Sequence, residues 1–590
     1  MTRSTIETAG FQLDSVDVWL SEFASAVQRC DVRAAADLFV SKGNWRDLLA
    51  FTWSLRTFSG RENIAAGLEQ VFGGPKLVRV SASTTVAPQM VRRAGQDCLE
   101  ALFELETTEG CGTGVLRLLV ETGSTAPKAW TLLTALGQLN GHEEHVGERR
   151  PSGLSYSRGF GGENWLDQRR AAQSYVDREP DVLIIGGGQA GLGVAARLRQ
   201  LDVDALIVDR LDRVGDNWRN RYHSLSLHNE VDVAHLPYLP FPPTWPRYVP
   251  KDMLANWFEF YVEALELNYW TGTEFLGARY VESDARWEVV VRRPDGSERA
   301  LRPAHLVMAT GVSGIPNIPE IPGLRDFRGE VLHSSRFVSG AKYEGKSVVV
   351  IGAGNSGHDV AQELCTSGSE VTLVQRSPTT VASLEPSAQK VYSVYSEGLP
   401  TEVADLLAAS VSYPMLVKSY QLLSAEMQDT DRELLDGLHA VGFRTDYGED
   451  GTGLQMKYLR RGGGYYINVG CSELLIDGHI SLIQNSDISA VTEDGMLLTD
   501  GRTHCADAIM LATGYKNLQE SLRMFFGDAV ANSVGPIWDF DEEGELRNMW
   551  RRTAQPGLWF AAGSLAQCRI YSHFLALQIK HAGLGDRQEV

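Results

Sequence analysis

Residues 181–210, DVLIIGGGQAGLGVAARLRQLDVDALIVDR, restrict the fold more than any other stretch of the chain. Val182 to Ile185 are four apolar, mostly β-branched residues, the composition of a strand buried on both faces of a parallel sheet. Gly186, Gly188 and Gly191 follow at GxGxxG spacing. Leu192, Val194, Ala195, Leu198 and Leu201 then recur at helical intervals, and a second apolar run, Ala205 to Val208, ends at Asp209. Each part has a physical task. Gly186 permits a tight turn, Gly188 lets the backbone approach a pyrophosphate, and Gly191 lets the helix pack on the strand. Gln189 and Ala190 open the helix, whose N-terminal amides face the phosphates. Asp209 comes 23 residues after Gly186, where a carboxylate accepts ribose hydroxyls, and Arg210 follows it. A bare GxGxxG is often only a glycine-rich turn. Strand, helix, second strand and terminal acid together predict a dinucleotide site.

The pattern returns at Lys346 to Arg376, KSVVVIGAGNSGHDVAQELCTSGSEVTLVQR. An apolar strand leads into Gly352, Gly354 and Gly357, with Asn355 and Ser356 at the helix start. Here the second strand, Val371 to Val374, ends in Gln375-Arg376 rather than in an acid. A carboxylate would repel a 2′-phosphate, whereas Arg376 can grip one bidentately and Ser377 can add a hydroxyl donor. This second site is therefore expected to prefer NADPH to NADH.

Between the two anchors, FRGEVLHSSRF places Phe327, Gly329, His333 and Phe337 at FxGxxxHxxxF spacing. Two glycine motifs 166 residues apart, this fingerprint between them and LATGY (Leu511 to Tyr515) near the end resemble the flavin-containing monooxygenase family over residues 181–590. The resemblance implies FAD in the first fold and NADPH in the second. It also implies that reduced flavin holds O2 as a hydroperoxide at carbon 4a, and that a small organic substrate (an amine, a sulfide or an α-keto acid such as indole-3-pyruvate) takes one oxygen while the other leaves as water. In such proteins a G-G-x-W loop lies beside the flavin, and Gly215, Asn217 and Trp218 occupy its place, although a surface loop with a core tryptophan fits too. Ala309-Thr310-Gly311 resembles the exit from the first nucleotide fold, and Thr513, Gly514 and Tyr515 the re-entry to it. The family's asparagine at the flavin edge is matched by Asn229, beside His228. A side-chain amide there offers donor and acceptor without titrating near neutral pH.

Three alternatives are weighed against this. A flavin disulfide reductase needs a redox cysteine pair, and the seven cysteines contain no CxxC and none between Cys111 and Cys365. A Baeyer–Villiger monooxygenase acting on ketones shares both folds, but its fingerprint carries Trp where Phe337 stands. A non-catalytic redox-sensing scaffold would bind FAD and yield no oxygenated product. No metal cluster or Ser-His-Asp arrangement stands out, which fits chemistry run by cofactors.

Before the first anchor, Val16–Val40 and Arg61–Phe72 read as amphipathic helices, and 77–87, 99–107, 114–121 and 129–136 as strands. This α+β order resembles the NTF2-like (SnoaL-type) cone, an enzyme or a dimerisation and lid module. Trp45, Arg46, Asp47 and His142 are candidate pocket residues, with structural roles as the alternative. The expected fold class is thus α/β, two Rossmann-like domains preceded by an NTF2-like cone. The expected boundaries are 1–145 cone, 146–180 linker, 181–338 FAD domain, 339–480 NADPH domain with a helical insertion from 381 to 460, and 481–590 the rest of the FAD domain.

A net charge of −20 argues against nucleic acid or an anionic membrane as partner, since both need a basic face. No window is apolar enough to span a bilayer, the N-terminus lacks a secretory h-region, and scattered cysteines suit reduced thiols. The expectation is a cytoplasmic enzyme whose partners are O2 and a small molecule, with a homodimer left open. The Pro- and aromatic-rich run 236–250 is expected to form a rigid loop over the pocket, turning helical at Lys251.

Overall fold

Two parallel sheets organise residues 181–588. The first runs in the order Asn268–Trp270, Ala205–Val208, Val182–Ile185, His305–Met308 and Leu558–Phe560. The second runs Glu330–His333, Ala508–Leu511, Ser347–Ile351, Glu370–Gln375 and Ile480–Gln484. Val182–Ile185 is buried throughout and Ser347–Ile351 from Val348 onward, as their apolar runs require. Each is followed by a glycine turn and a helix, Gln189–Gln200 in the first fold and Asn355–Thr366 in the second. The computed structural model describes residues 11–12, 14–121, 126–152, 156 and 160–588. Most of the N-terminal stretch read for a secretory signal lies outside the described residues, as do 153–155 and 157–159 of the expected linker.

The sheets divide the chain differently from the boundaries expected at 338/339 and 480/481. Glu330–His333 and Ala508–Leu511 both belong to the second sheet. LATGY therefore ends a strand of the second fold, and the chain returns to the first only at Leu558–Phe560. Short strands that pair in parallel carry no local sign of which sheet they join.

Residues 274–301 form three antiparallel strands, Glu274–Val281, Arg286–Arg292 and Glu298–Leu301. The Asp295-Gly296 turn is present, with Gly296 at φ 83°. The other turn, 282–285, is made by Glu-Ser-Asp-Ala, with Ala285 rather than a glycine or asparagine at φ 50°. The insertion carries helices Thr401–Ala409, Tyr413–Thr430, Arg432–Ala440 and Gly453–Arg461. The run 236–250 packs onto helix Lys251–Ala264, with Phe241 stacked on Trp245 at 4.8 Å and edge-on to Trp257. It does not border the cavity described below.

Among the described residues the N-terminal part is a bent seven-stranded sheet with three helices. The expected helix 16–40 is two helices, Ser15–Gln28 and Val32–Asp37, broken at Cys30, where φ is 54°. Val16, Trp19, Leu20, Phe23 and Val27 form the buried face of the first. Phe39–Leu48, Leu55–Ser59 and Gln89–Arg93 are strands that the pattern did not announce. Phe39–Leu48 lacks apolar alternation because Asn44, Arg46 and Asp47 are polar yet buried, Arg46 and Asp47 each held by several hydrogen bonds. Gly112 lies at a register shift in strand Gly110–Leu119, and a Cβ there would sit 1.9 Å from the Ala135 carbonyl oxygen. The sheet bends where the bare backbone allows it.

This sheet is bolted to the rest by ion pairs. Arg46 donates to both oxygens of Glu545 at 2.7 and 2.6 Å, and Thr57 donates to the same carboxylate at 2.7 Å. Burial would lower the Arg46 pKa, but Glu545 and Tyr571 more than offset it, so the guanidinium stays charged. Arg93 joins Glu100 to Glu397, and Arg117 joins Glu100 to the Ser410 hydroxyl.

Candidate functional site

The two glycine cradles open into one cavity of about 2000 Å³. That exceeds the usual 300–1,000 Å³ of a site for one small ligand by enough to hold two dinucleotides. In the first cradle Gly186 has φ 102°, and a Cβ there would lie 2.6 Å from the Ala309 carbonyl. A Cβ on Gly191 would lie 2.1 Å from the Gly186 carbonyl, so this glycine seats the helix against the turn. Gly188 meets nothing nearer than the Asn217 amide at 3.2 Å and faces the open cavity. The second cradle repeats the arrangement. Gly352 has φ 119°, Gly357 would clash with the Gly352 carbonyl at 1.8 Å, and Gly354 has only the Tyr465 carbonyl, at 3.7 Å, within reach.

Gln189, Ala190, Asp209, Arg210, Asn217, Trp218, Thr310 and Gly311 border the cavity from the first fold. Asp209 is held by the Gly187 and Leu211 amides at 2.7 and 2.9 Å. The Trp218 indole nitrogen and the Thr310 hydroxyl are buried with no hydrogen-bond partner, as groups awaiting a ligand would be. From the second fold come Asn355, Ser356, Arg376, Ser377, Thr513, Gly514 and Tyr515. Asn355 accepts from the Ile467 amide at 2.8 Å, which ties strand Tyr465–Asn468 to the cradle. Arg376 is exposed and makes no ion pair among the described residues, so its guanidinium is available to an anion. These features fit FAD in the first cradle and NADPH in the second.

Four sequence candidates do not line the cavity: Gly191, Gly357, His333 and Asn229. The two glycines act behind it, as above. His333 is a strut. Its Nδ1 accepts from the Ser335 amide at 3.1 Å, so Nε2 carries the proton and donates to the Gly514 carbonyl, also at 3.1 Å. Burial lowers its pKa, which keeps the ring neutral. On strand Ser226–Glu230 the residue that borders the cavity is His228, while the Asn229 side chain is directed to the Tyr392 hydroxyl. Burial lowers the His228 pKa as well. Trp45, Arg46, Asp47 and His142 are likewise away from the cavity. Asp47 is a turn staple, accepting from the Phe51 and Thr52 amides and the Thr52 and Thr134 hydroxyls. Burial outweighs these bonds and keeps its pKa above the ordinary carboxylate value.

The sequence reading did not single out Arg336, Asp359 or the Arg460–Tyr465 loop, all of which border the cavity. Arg336 had a signal, standing just before the last phenylalanine of FxGxxxHxxxF. Asp359 accepts from the Tyr222 hydroxyl and so links a loop of the first fold to the helix of the second. Burial raises its pKa against the opposing pull of Tyr222 and His228.

A family model described as pyridine nucleotide-disulphide oxidoreductase matches residues 180–398. All seven cysteines are free, and none borders the cavity. The chain is 30% identical over 357 residues to an indole-3-pyruvate monooxygenase, YUCCA1, of Oryza sativa subsp. japonica, covering 60% of this chain and 80% of the relative. It is 29% identical over 344 residues to a probable indole-3-pyruvate monooxygenase, YUCCA10, of Arabidopsis thaliana, covering 58% and 82%. Among solved structures, closed cyclohexanone monooxygenase matches with a TM-score of 0.52 at 16% identity, over 69% of this chain and 85% of that one. Oxidized steroid monooxygenase bound to NADP matches with a TM-score of 0.51 at 19% identity, over 70% and 86%. At these identities the solved structures speak for the fold alone.

Proposed function

This chain belongs to the flavin-dependent monooxygenase family, and we propose that it oxygenates a small organic substrate where its two nucleotide folds meet. The observation that carries this reading is the single cavity bordered by both glycine cradles, with Arg376 free beside the second. FAD would be held by the Gly186–Ala190 backbone, Asp209, Asn217, Trp218 and Thr310, and NADPH by Gly352–Ser356, Arg376 and Ser377. Bound there, FAD would supply the two-electron redox chemistry that couples NADPH to O2, for the overall change NADPH, a proton, O2 and substrate to NADP⁺, water and oxygenated substrate.

The protein's own part is to bind, orient and exclude water. The N-terminal amides of helices Gln189–Gln200 and Asn355–Thr366 face the two pyrophosphates, and Arg376 pairs with a 2′-phosphate. His228, kept neutral by burial, offers its imidazole at the cavity wall, the role first sought at Asn229. The bent N-terminal sheet is read as an NTF2-like module that braces the insertion. Seven free cysteines suit a reducing, cytoplasmic setting.

Anaerobic stopped-flow reduction tests the reading. NADPH should bleach the flavin of the wild type. Arg376→Ala should raise the NADPH requirement roughly tenfold to a hundredfold, the worth of one charge-assisted phosphate contact, and leave NADH unaffected. Equal loss with both coenzymes rejects the assignment of Arg376. A flavin that NADPH does not bleach rejects the function.

A further inference from the structure

A glycine loop from a distant part of the chain faces the second cradle. Helix Gly453–Arg461 ends at Gly462, which takes the left-handed conformation at φ 67°, and the run Gly462–Gly464 leads into strand Tyr465–Asn468. Arg460 to Tyr465 all border the dinucleotide cavity. The far end of the loop is held in place. The Gly464 carbonyl accepts from the Thr380 amide at 3.2 Å and from the Lys457 ammonium at 3.0 Å. The strand after it is pinned to the cradle by the bond from the Ile467 amide to Asn355. These ties set the loop opposite Gly354, where a Cβ would have the Tyr465 carbonyl oxygen as its nearest neighbour, at 3.7 Å. Gly354 is the position at which the backbone approaches a pyrophosphate.

Arg461 stands at the base of this loop, and its side chain folds back over Gly464. A Cβ on that glycine would lie 3.0 Å from a terminal guanidinium nitrogen and 3.3 Å from Nε. The bare backbone of Gly464 gives the guanidinium its seat. The charge there is not neutralised. The Arg461 guanidinium is exposed and makes no ion pair or hydrogen bond among the described residues. Its neighbour Arg460 is committed to Asp450 at 2.7 Å and to the Tyr413 hydroxyl at 2.9 Å. The amides of Gly463 and Gly464 likewise donate to nothing among the described residues. A cation and two open amides thus stand on one side of the cavity, and the N-terminal amides of helix Asn355–Thr366 on the other. Two walls of donors across one gap suit a doubly charged anion.

We infer that Arg461 and the Gly462–Gly464 loop form a second wall of the coenzyme site, and that Arg461 binds the pyrophosphate of NADPH from the side opposite the helix. The inference rests on the assignment of NADPH to the second cradle. It gives Arg376 and Arg461 separate duties. Arg376 meets the 2′-phosphate, which NADPH carries and NADH lacks. Arg461 meets the pyrophosphate, which the two coenzymes share. The first arginine sets preference between coenzymes, and the second sets affinity for both.

Anaerobic bleaching of the FAD-loaded enzyme at graded NADPH and NADH separates the two duties. In Arg461→Ala the half-saturating concentrations of both coenzymes should rise together, roughly tenfold to a hundredfold, with the limiting rate retained. Arg461→Lys keeps the charge and should recover part of the loss. Adenosine 2′-monophosphate, which has the 2′-phosphate and no pyrophosphate, should compete with NADPH at the same inhibition constant in Arg461→Ala and wild type. Arg461 is exposed, so Arg461→Ala should keep its FAD and its unfolding midpoint. Unchanged half-saturation, a rise confined to NADPH, weaker adenosine 2′-monophosphate, or a variant that loses FAD or stability overturns the assignment. A wild-type flavin that NADPH does not bleach rejects the coenzyme reading itself, so the two fail separately.

Discussion

His358 shows how one side chain ties the second fold to pH. Its ring lies on Tyr466, centroids 3.9 Å apart and planes 6° apart, and Nδ1 meets the Gly354 carbonyl at 3.1 Å. Nε2 is buried and unpartnered. Burial pulls its pKa down to about 4 from 6.5. At pH 7 the ring is neutral whether the chain is folded or not. Below about 6.5 the unfolded chain takes up a proton that the folded chain refuses until about 4. Stability is therefore full above the unfolded value and drains away between the two, by on the order of 3 kcal/mol. In His358→Phe this contribution disappears, and the melting temperature should depend less on pH between 6.5 and 4. A variant whose pH profile overlays the wild type contradicts the account. At this scale the sequence was informative where a residue's partner is its own backbone, as with the glycines. It was silent on His358, whose environment comes from Tyr466 and Phe443, far along the chain. Asn229 and His228 are both candidates in the sequence, and nothing local says which residue of a short strand meets the cavity.

The elements around the second cradle separate two duties that one motif hides. A methyl group on Gly357 would be driven into the Gly352 carbonyl, forcing helix Asn355–Thr366 off its turn. A methyl on Gly354 meets no protein atom closer than 3.7 Å, and Gly354 borders the cavity. Gly354 has φ −94°, so its backbone carries no strain for another residue. Gly357→Ala should cost about 1–3 kcal/mol of stability, as overpacking does, read as a lower unfolding midpoint. Gly354→Ala should leave that midpoint unchanged and weaken NADP⁺ at least about tenfold, measured by fluorescence titration. The reverse pattern would reassign both glycines. The motif spelled out its strand, turn and helix because all three are local. The strand Phe39–Leu48 escaped notice because Asn44, Arg46 and Asp47 are polar yet buried. Arg46 finds its partner 499 residues away, which no window can see.

Across the whole molecule, that pairing holds the N-terminal sheet to the oxygenase body. Removing one member of a buried pair leaves the other charged in a place without water, at a cost of about 3–5 kcal/mol. Arg46→Met should therefore lower the unfolding midpoint markedly and open the junction to limited proteolysis. The double variant Arg46→Met with Glu545→Leu removes both charges and should recover most of the loss. A single variant as stable as wild type, or a double variant no better than the single, would show that the pair does not hold the junction.

The order of the strands sets an order of completion. The second sheet has all its strands once residue 511 has left the ribosome. The first sheet begins at Val182 and encloses the second in sequence, and it lacks its edge until Leu558–Phe560 has been made. The N-terminal sheet, translated before either, lacks the carboxylate of Glu545 for most of synthesis. Of the two parallel sheets the nested one therefore has all its strands first, and the N-terminal sheet, though its own strands are made earlier, gains its buried ion pair only after both nested and enclosing folds are nearly complete.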